Sequence, residues 1–120
     1  PLVEFAKENK LDFIATNIPR RYASVVHKSG FEGLDSLDSE AKTYFPPLPV
    51  KYDPELPGYK KMMKMNPGKG MKMKKSKPNP NLPKAQAIKD ATMAYFILQN
   101  WSEGKSFLHF NGILNRKILN

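Results

Sequence analysis

Proline is distributed very unevenly along this chain, and that limits the possible folds. Nine of the 11 prolines lie between residues 46 and 83, together with five of the six methionines. Proline fixes φ and lacks a backbone N–H donor, so a stretch dense in proline excludes long helices and central strands. We therefore expect residues 46–83 to form an irregular, partly mobile insertion whose one candidate helix is "GYKKMMKM".

Before the insertion, residues 1–45 predict a helix, a strand and two further helices. "PLVEFAKE" places apolar residues on one helical face, and "LDFIAT" is a β-branched and aromatic run of strand length. Pro19 suits the first position of the next helix, which Gly30 would end as a C-cap. Apolar spacing in "GLDSLDSEAKTYF" predicts one more helix, ended by the prolines that begin at residue 46.

After the insertion, residues 84–120 predict a long helix and a second strand. No Gly or Pro interrupts Lys84 to Trp101, and strong helix formers fill this stretch. "SFLHF" is apolar enough to lie inside a sheet. Because helices alternate with strands on both sides of the insertion, we expect an α/β fold, a parallel sheet flanked by helices. One apolar stripe of the long helix comprises Ala87, Ala91, Ala94, Leu98 and Trp101.

The formal charge of +9 comes from one segment and not from a whole surface. Residues 60–77 hold eight lysines and no acid, whereas the other 12 basic residues are balanced by 11 acidic ones. Three interpretations of this segment stay open: a polybasic arm for nucleic acid or anionic lipid, thioether ligands for Cu(I) or haem iron, and a solvated loop. Aromatic residues do not alternate with the lysines as single-strand binders require, so no nucleic-acid partner is expected.

"ATNIPRR" places polar side chains where the first predicted strand ends and a helix begins. Backbone N–H groups at such a helix start favour anions, so Arg20 could bind a carboxylate or a phosphate there. The alternative is structural: Asn17 caps the helix and Arg20 pairs with a helix acid.

Two more polar residues lie in otherwise apolar elements. Gln86 and Asp90 share one side of the long helix, where Asp90 faces either a cleft or solvent. His109 in "FLHFN" alternates with Leu108 and Phe110, and is either a ligand at the sheet rim or a satisfied core residue.

Several function classes lack their sequence signals. The chain has no cysteine, which removes disulfides and thiolate sites. No nucleophile triad, Walker loop, GxGxxG or HExxH motif occurs, so no catalytic site can be assembled from these residues. The chain begins at Pro1 without an apolar leader or a membrane-length run, and we expect it to be a mature or excised piece of a protein.

Taken in order, four stretches resemble the ChaN-like family of haem-binding lipoproteins, which is related to the Tiki and TraB proteins. These stretches are "LDFIATNIPRRYASVVHKSGFEGLDSL", "PPLPVKYDPELPGYKKMM", "KAQAIKDATMAYFILQNW" and "FLHFNG". The resemblance covers most of the chain outside the Lys/Met core of the insertion. It corresponds to the C-terminal part of a member, because the N-terminal half with its Gly-Glu-x-His type motif is absent here.

The resemblance implies a haem-binding module of an iron-uptake surface lipoprotein in the bacterial cell envelope, as part of a larger α/β domain. It implies haem held between the subunits of a homodimer by tyrosine ligation and basic residues, with membrane attachment only through an upstream lipid anchor. The alternative that it leaves open is a metal-dependent hydrolase or peptidase related to Tiki and TraB, inactive in this piece. A phenolate near cationic residues suits Fe(III), because nearby positive charge lowers the phenol pKa.

The haem-site residues expected from this resemblance lie in four parts of the sequence. Tyr22 and Tyr59 are the candidate iron ligands. The full set of expected haem-binding residues is Asn17, Arg20, Tyr22, Tyr59, Met62, Met63, Asp90, His109 and Asn111.

The sequence departs from the family pattern after Gly112. Family members usually continue Gly-x-x-His, but here Asn115 stands where the histidine belongs, and the tail "ILNRKILN" matches nothing expected of the family. A truncated or frameshifted product explains this tail better than a specialised function.

Overall fold

Four α-helices and two 3₁₀ turns make up the regular structure of residues 1–64 and 79–111, which are the residues that the computed structural model describes. The helices are α1 (Leu2–Glu8), α2 (Arg20–Ser29), α3 (Pro57–Lys64) and α4 (Asn81–Asn100). The 3₁₀ turns Phe31–Leu34 and Ala41–Tyr44 lie between α2 and α3. The core of the Lys/Met segment and the tail that follows Asn111 lie outside the described residues.

The predicted parallel sheet is wrong for this part of the chain, which is helical and contains no strand. The two segments expected to be strands, residues 11–16 and 106–110, instead run without regular structure. Counting bonds among residues 1–64 and 79–111, only the N–H of Leu11 in these segments donates to another backbone group, the carbonyl of Ala6. A strand requires a neighbour that takes up its backbone hydrogen bonds, and neither segment has one among the described residues.

Most of the features that the sequence predicted for helix α2 are confirmed. Pro19 lies just before the first helical residue, and its carbonyl accepts the N–H of Tyr22 at 3.0 Å. No side chain caps this end, so the expected Asn17 cap is not formed. At the other end, Gly30 takes φ +74° and its N–H donates to the Val26 carbonyl at 2.8 Å. Gly30 is therefore the C-cap that the sequence predicted.

The helix expected over residues 33–45 is replaced by two short 3₁₀ turns. Asp38 accepts the N–H of Ala41 through its side chain at 2.8 Å, and the hydroxyl of Ser36 donates to the Gly33 carbonyl at 3.2 Å. Ser and Asp side chains compete in this way for backbone groups that a continuous helix would use. The apolar spacing in residues 33–45 thus predicted the buried side chains correctly, but its prediction of one continuous helix was wrong.

The hydrophobic core lies where α2 packs against α4, closed on one side by the two 3₁₀ turns. Leu34, Val26 and Ile88 are fully buried, and Thr92 beside them donates its hydroxyl to the Ile88 carbonyl. α3 packs on another side of α4. The core cluster comprises Ile18, Tyr22, Ala23, Val26, Leu34, Ala41, Phe45, Ala85 and Ile88.

Helix α4 begins three residues earlier than predicted, with Pro83 in its first turn, where a missing N–H costs little. The predicted apolar stripe is buried only in its first half. Ala87 is buried, whereas Leu98 is 73% exposed and Trp101, just beyond the helix, is 56% exposed. Within the described ranges, no helix has both the length and the apolar character needed to cross a membrane.

Candidate functional site

The Asp90 carboxylate is a meeting point of α3 and α4. The hydroxyl of Tyr59 donates to one carboxylate oxygen at 3.0 Å, and the side-chain amide of Gln86 donates to the other at 2.8 Å. The Asp90 carboxylate therefore faces other side chains of this chain and not open solvent. It lies beside Gln86, as the helical spacing predicted. These two hydrogen bonds attach the insertion helix to the core.

The pKa of Tyr59 is raised to about 12, first by burial and then by its hydrogen bond to Asp90 and the charge of that carboxylate. The ring of Tyr52 lies 5.6 Å from that of Tyr59, and the pKa of Tyr52 is also raised, by burial and by the nearby Asp53. For an iron-binding tyrosine we expected neighbouring cations, which would lower the pKa of the phenol. The charge in contact with Tyr59 is negative, so its phenol holds its proton more firmly than a free tyrosine.

Tyr22 is packed into the core. Only 9% of it is exposed, and its ring stacks on Tyr44 with 5.9 Å between centroids. Its hydroxyl accepts a hydrogen bond from the Arg21 guanidinium at 2.9 Å. Arg21 is thus a cationic neighbour of the kind expected for an iron-binding tyrosine. The burial of the Tyr22 ring, however, leaves little room for a large planar ligand.

The other polar residues expected to bind a ligand lie on two segments that approach each other. His109 Nε2 lies 3.5 Å from the hydroxyl of Thr16, the neighbour of Asn17 in the chain. Asn17, Arg20, His109 and Asn111 are all exposed. These side chains are accessible to a ligand, and His109 is not the core residue of the alternative interpretation.

The two methionines lie next to Tyr59 on α3. Met62 and Met63 are half-buried, while Lys60 on the same helix forms an ion pair with Glu55. Apart from Tyr22 in the core, the expected set thus forms two groups: Tyr59, Met62, Met63 and Asp90 around α3 and α4, and Asn17, Arg20, His109 and Asn111 near the start of α2. No hydrogen bond or ion pair among the described residues joins the two groups.

A cleft that sequence reasoning missed lies between the second 3₁₀ turn and the C-terminal half of α4. Its volume is about 490 Å³, within the range of roughly 300–1,000 Å³ that is typical of small-molecule sites. Both aromatic and polar side chains line it. The lining residues are Lys42, Thr43, Phe45, Pro47, Tyr95, Phe96, Gln99 and Asn100.

In the sequence, the local signal of this cleft is the pair of aromatic dipeptides Tyr44-Phe45 and Tyr95-Phe96. They are separated by about half of the chain, and no spacing rule links them. Within residues 1–64 and 79–111, no cluster of three or more His, Cys, Asp or Glu side chains is placed to hold a metal ion.

Comparison with known families identifies a matching family. A family model described as haem-binding uptake, Tiki superfamily, ChaN matches residues 1–114. No curated protein and no solved structure matches the chain. The family match confirms the resemblance that the ordered motifs indicated.

Proposed function

Because the chain belongs to the haem-binding uptake family of the Tiki superfamily that includes ChaN, we propose that it is the haem-binding module of an iron-uptake lipoprotein of the bacterial cell envelope. The observation that carries the proposal is the family match over residues 1–114, nearly the whole chain. Tyrosine ligation, envelope location and a homodimer are the finer parts of this proposal.

The residues present are chemically suited to haem, which is a flat apolar ring bearing two carboxylates and, when bound, supplies an iron that takes an axial ligand. Such a ligand needs aromatic walls, a cation for each carboxylate and a donor for the iron. Phe45, Tyr95 and Phe96 provide walls in the cleft, and Lys42 provides a cation beside them. Arg20, exposed at the start of α2, is a second cation accessible to an anion.

A tyrosine is the donor that we propose for the iron. Two tyrosines were expected from the sequence. To bind iron, Tyr59 would have to lose its phenol proton, which Asp90 stabilises, and its hydrogen bond to Asp90. Tyr22 would have to leave a packed core. Haem ligation by either residue therefore requires local rearrangement.

The direct test is a titration of the 120-residue chain with hemin, followed by absorbance. We expect saturable binding and a shifted Soret band, because ligation changes the electronic state of the iron. Iron-free protoporphyrin is the matched ligand control, and we expect it to bind at least about tenfold more weakly if the iron–tyrosine bond contributes. Absence of saturable hemin binding to the folded chain would refute the proposed function.

A further inference from the structure

Asn111 is followed directly by Gly112, and this pair of residue types occurs once in the chain. The side-chain amide carbon of an asparagine can be attacked by the backbone nitrogen of the next residue, because the two atoms lie close enough to close a small ring. A Cβ on that next residue hinders the approach and restricts the backbone angles that permit it. Glycine has no Cβ, so the sequence places Asn111 in the least hindered position for this reaction.

The segment 106–111 leaves the backbone of Asn111 able to reach the required geometry. The segment has no regular structure, and Asn111 is exposed. Counting only residues 1–64 and 79–111, no backbone N–H of this segment donates to another backbone group. Segments that lack such hydrogen bonds change their backbone angles at low cost in free energy. Both the following glycine and the local backbone therefore favour ring closure at Asn111.

The other asparagines in the described part of the chain are restrained or hindered. Asn9, Asn81 and Asn100 lie at helix ends, where helical hydrogen bonds restrict the backbone. Asn79 precedes a proline, whose nitrogen carries no proton to lose. Asn17 precedes a buried, β-branched isoleucine. The reaction is therefore expected to be selective for one asparagine.

We propose that Asn111 is a site of spontaneous deamidation, with water as the co-reactant. The backbone nitrogen of Gly112 forms a bond to the side-chain amide carbon of Asn111, and the amide –NH₂ leaves as ammonia with the proton of that nitrogen. Water then adds to one of the two carbonyls of the resulting succinimide and opens the ring. Attack at the side-chain carbonyl gives aspartate, attack at the backbone carbonyl gives isoaspartate, and nothing is oxidised or reduced.

The modification adds a negative charge to a segment that contacts the region before α2. His109, two residues before Asn111, lies 3.5 Å from the hydroxyl of Thr16. Both products replace a neutral amide with a carboxylate at one of the expected haem-binding positions. The reaction itself needs no haem, so it can be tested independently of the proposed function.

The test is incubation of the folded 120-residue chain in neutral buffer, followed by tryptic digestion and mass spectrometry of peptide 106–116. We expect Asn111 to convert at least about tenfold faster than Asn17 or Asn100 in the same sample. Gly112→Ala should slow this conversion roughly tenfold, because it restores a Cβ. Asn100→Gln is the matched control and should leave the rate at residue 111 unchanged.

The isolated peptide 106–116 separates the effect of the sequence from that of the fold. We expect Asn111 to convert in the folded chain nearly as fast as in the peptide, because its segment lacks backbone hydrogen bonds. Circular dichroism checks that each chain is folded. Conversion in the peptide but not in the folded chain would overturn the proposal, as would equal rates at Asn111 and Asn100 in the chain.

Discussion

Gly30 has a backbone conformation that restricts substitution. Its φ of +74° and ψ of −170° place it in a region that is essentially open only to glycine. An added Cβ would also lie 2.6 Å from a carboxylate oxygen of Glu32. Because Gly30 both ends α2 and starts the first 3₁₀ turn, strain at this position acts on the core directly.

We predict that Gly30→Ala lowers the free energy of unfolding by roughly 1–3 kcal/mol, measured by urea denaturation. Gly58→Ala is the matched control, because Gly58 lies in α3 with open space where its Cβ would be. That variant should be neutral or more stable by up to about 1 kcal/mol. Equal destabilisation of both variants would show that the strain at Gly30 is unimportant.

The contact between Tyr59 and Asp90 predicts a specific dependence on pH. The folded-state pKa of Tyr59, about 12, lies above the ordinary value of 10.0. Burial and the contact with Asp90 both favour the protonated phenol, so their stabilisation is complete below pH 10 and is lost as the pH rises from about 10 to 12. Because Tyr59 is only partly buried and solvent screens the interaction, we expect the loss to be no more than about 1 kcal/mol.

Asp90→Asn tests the cause of this shift. We expect the pKa of Tyr59 to fall from about 12 towards 10 without reaching it, since burial remains, and tyrosinate absorbance during an alkaline titration measures the change. Asp12→Asn, a change at an exposed carboxylate, should leave the titration as in the wild type. An unchanged titration in Asp90→Asn would rule out the carboxylate as a cause.

At the scale of elements, Asn79 joins the end of α2 to the start of α4. Its side-chain amide donates to the His27 carbonyl at 3.0 Å, and its side-chain oxygen accepts the N–H of Asn81 at 2.9 Å. One residue thus satisfies a free carbonyl of one helix and a free N–H of the other. The sequence placed the helix start at Lys84 and missed this link, because the partner His27 is distant in the chain.

We predict that Asn79→Ala destabilises the fold by about 1–2 kcal/mol in chemical denaturation. Asn100→Ala is the control at the other end of α4, where the amide of Asn100 makes only a local, exposed bond to the Phe96 carbonyl. Its cost should stay within about 0.5 kcal/mol. If the two variants cost the same, Asn79 has no special role in joining the helices.

The elements that the sequence predicted correctly are those held by local interactions. Helix α1, helix α2 with its Gly30 C-cap, the short helix in the insertion and the long helix α4 all follow from apolar spacing, propensity and capping. The two predicted strands failed because strand formation depends on a partner segment that sequence pattern alone does not supply. The cleft could not be predicted for the same reason, because its two walls, the second 3₁₀ turn and α4, are distant in the sequence and meet only through packing in the fold.

At the scale of the molecule, exposed apolar side chains mark the two segments that were expected to be strands. Phe13, Leu108 and Phe110 all remain more than half exposed, and the contact of Thr16 with His109 brings their segments together. Soluble monomers rarely leave apolar residues grouped in this way. In the proposed homodimer, we expect this surface to be the contact between the two copies.

We predict that the triple variant Phe13→Ser, Leu108→Ser, Phe110→Ser loses self-association that the wild type shows in sedimentation equilibrium. Leu2→Ser, Val3→Ser, Phe5→Ser changes three exposed apolar residues of α1 and is the matched control. A wild-type mass that stays monomeric at every concentration would contradict the proposed homodimer.

Haem binding by this chain is tested most directly by a titration of the wild type with hemin, with iron-free protoporphyrin as the matched ligand. We predict saturable binding with a shifted Soret band for hemin, and affinity at least about tenfold lower for the iron-free ring. No saturation of the folded chain by hemin would contradict the proposed function, and equal affinity for the two ligands would contradict tyrosine ligation of the iron.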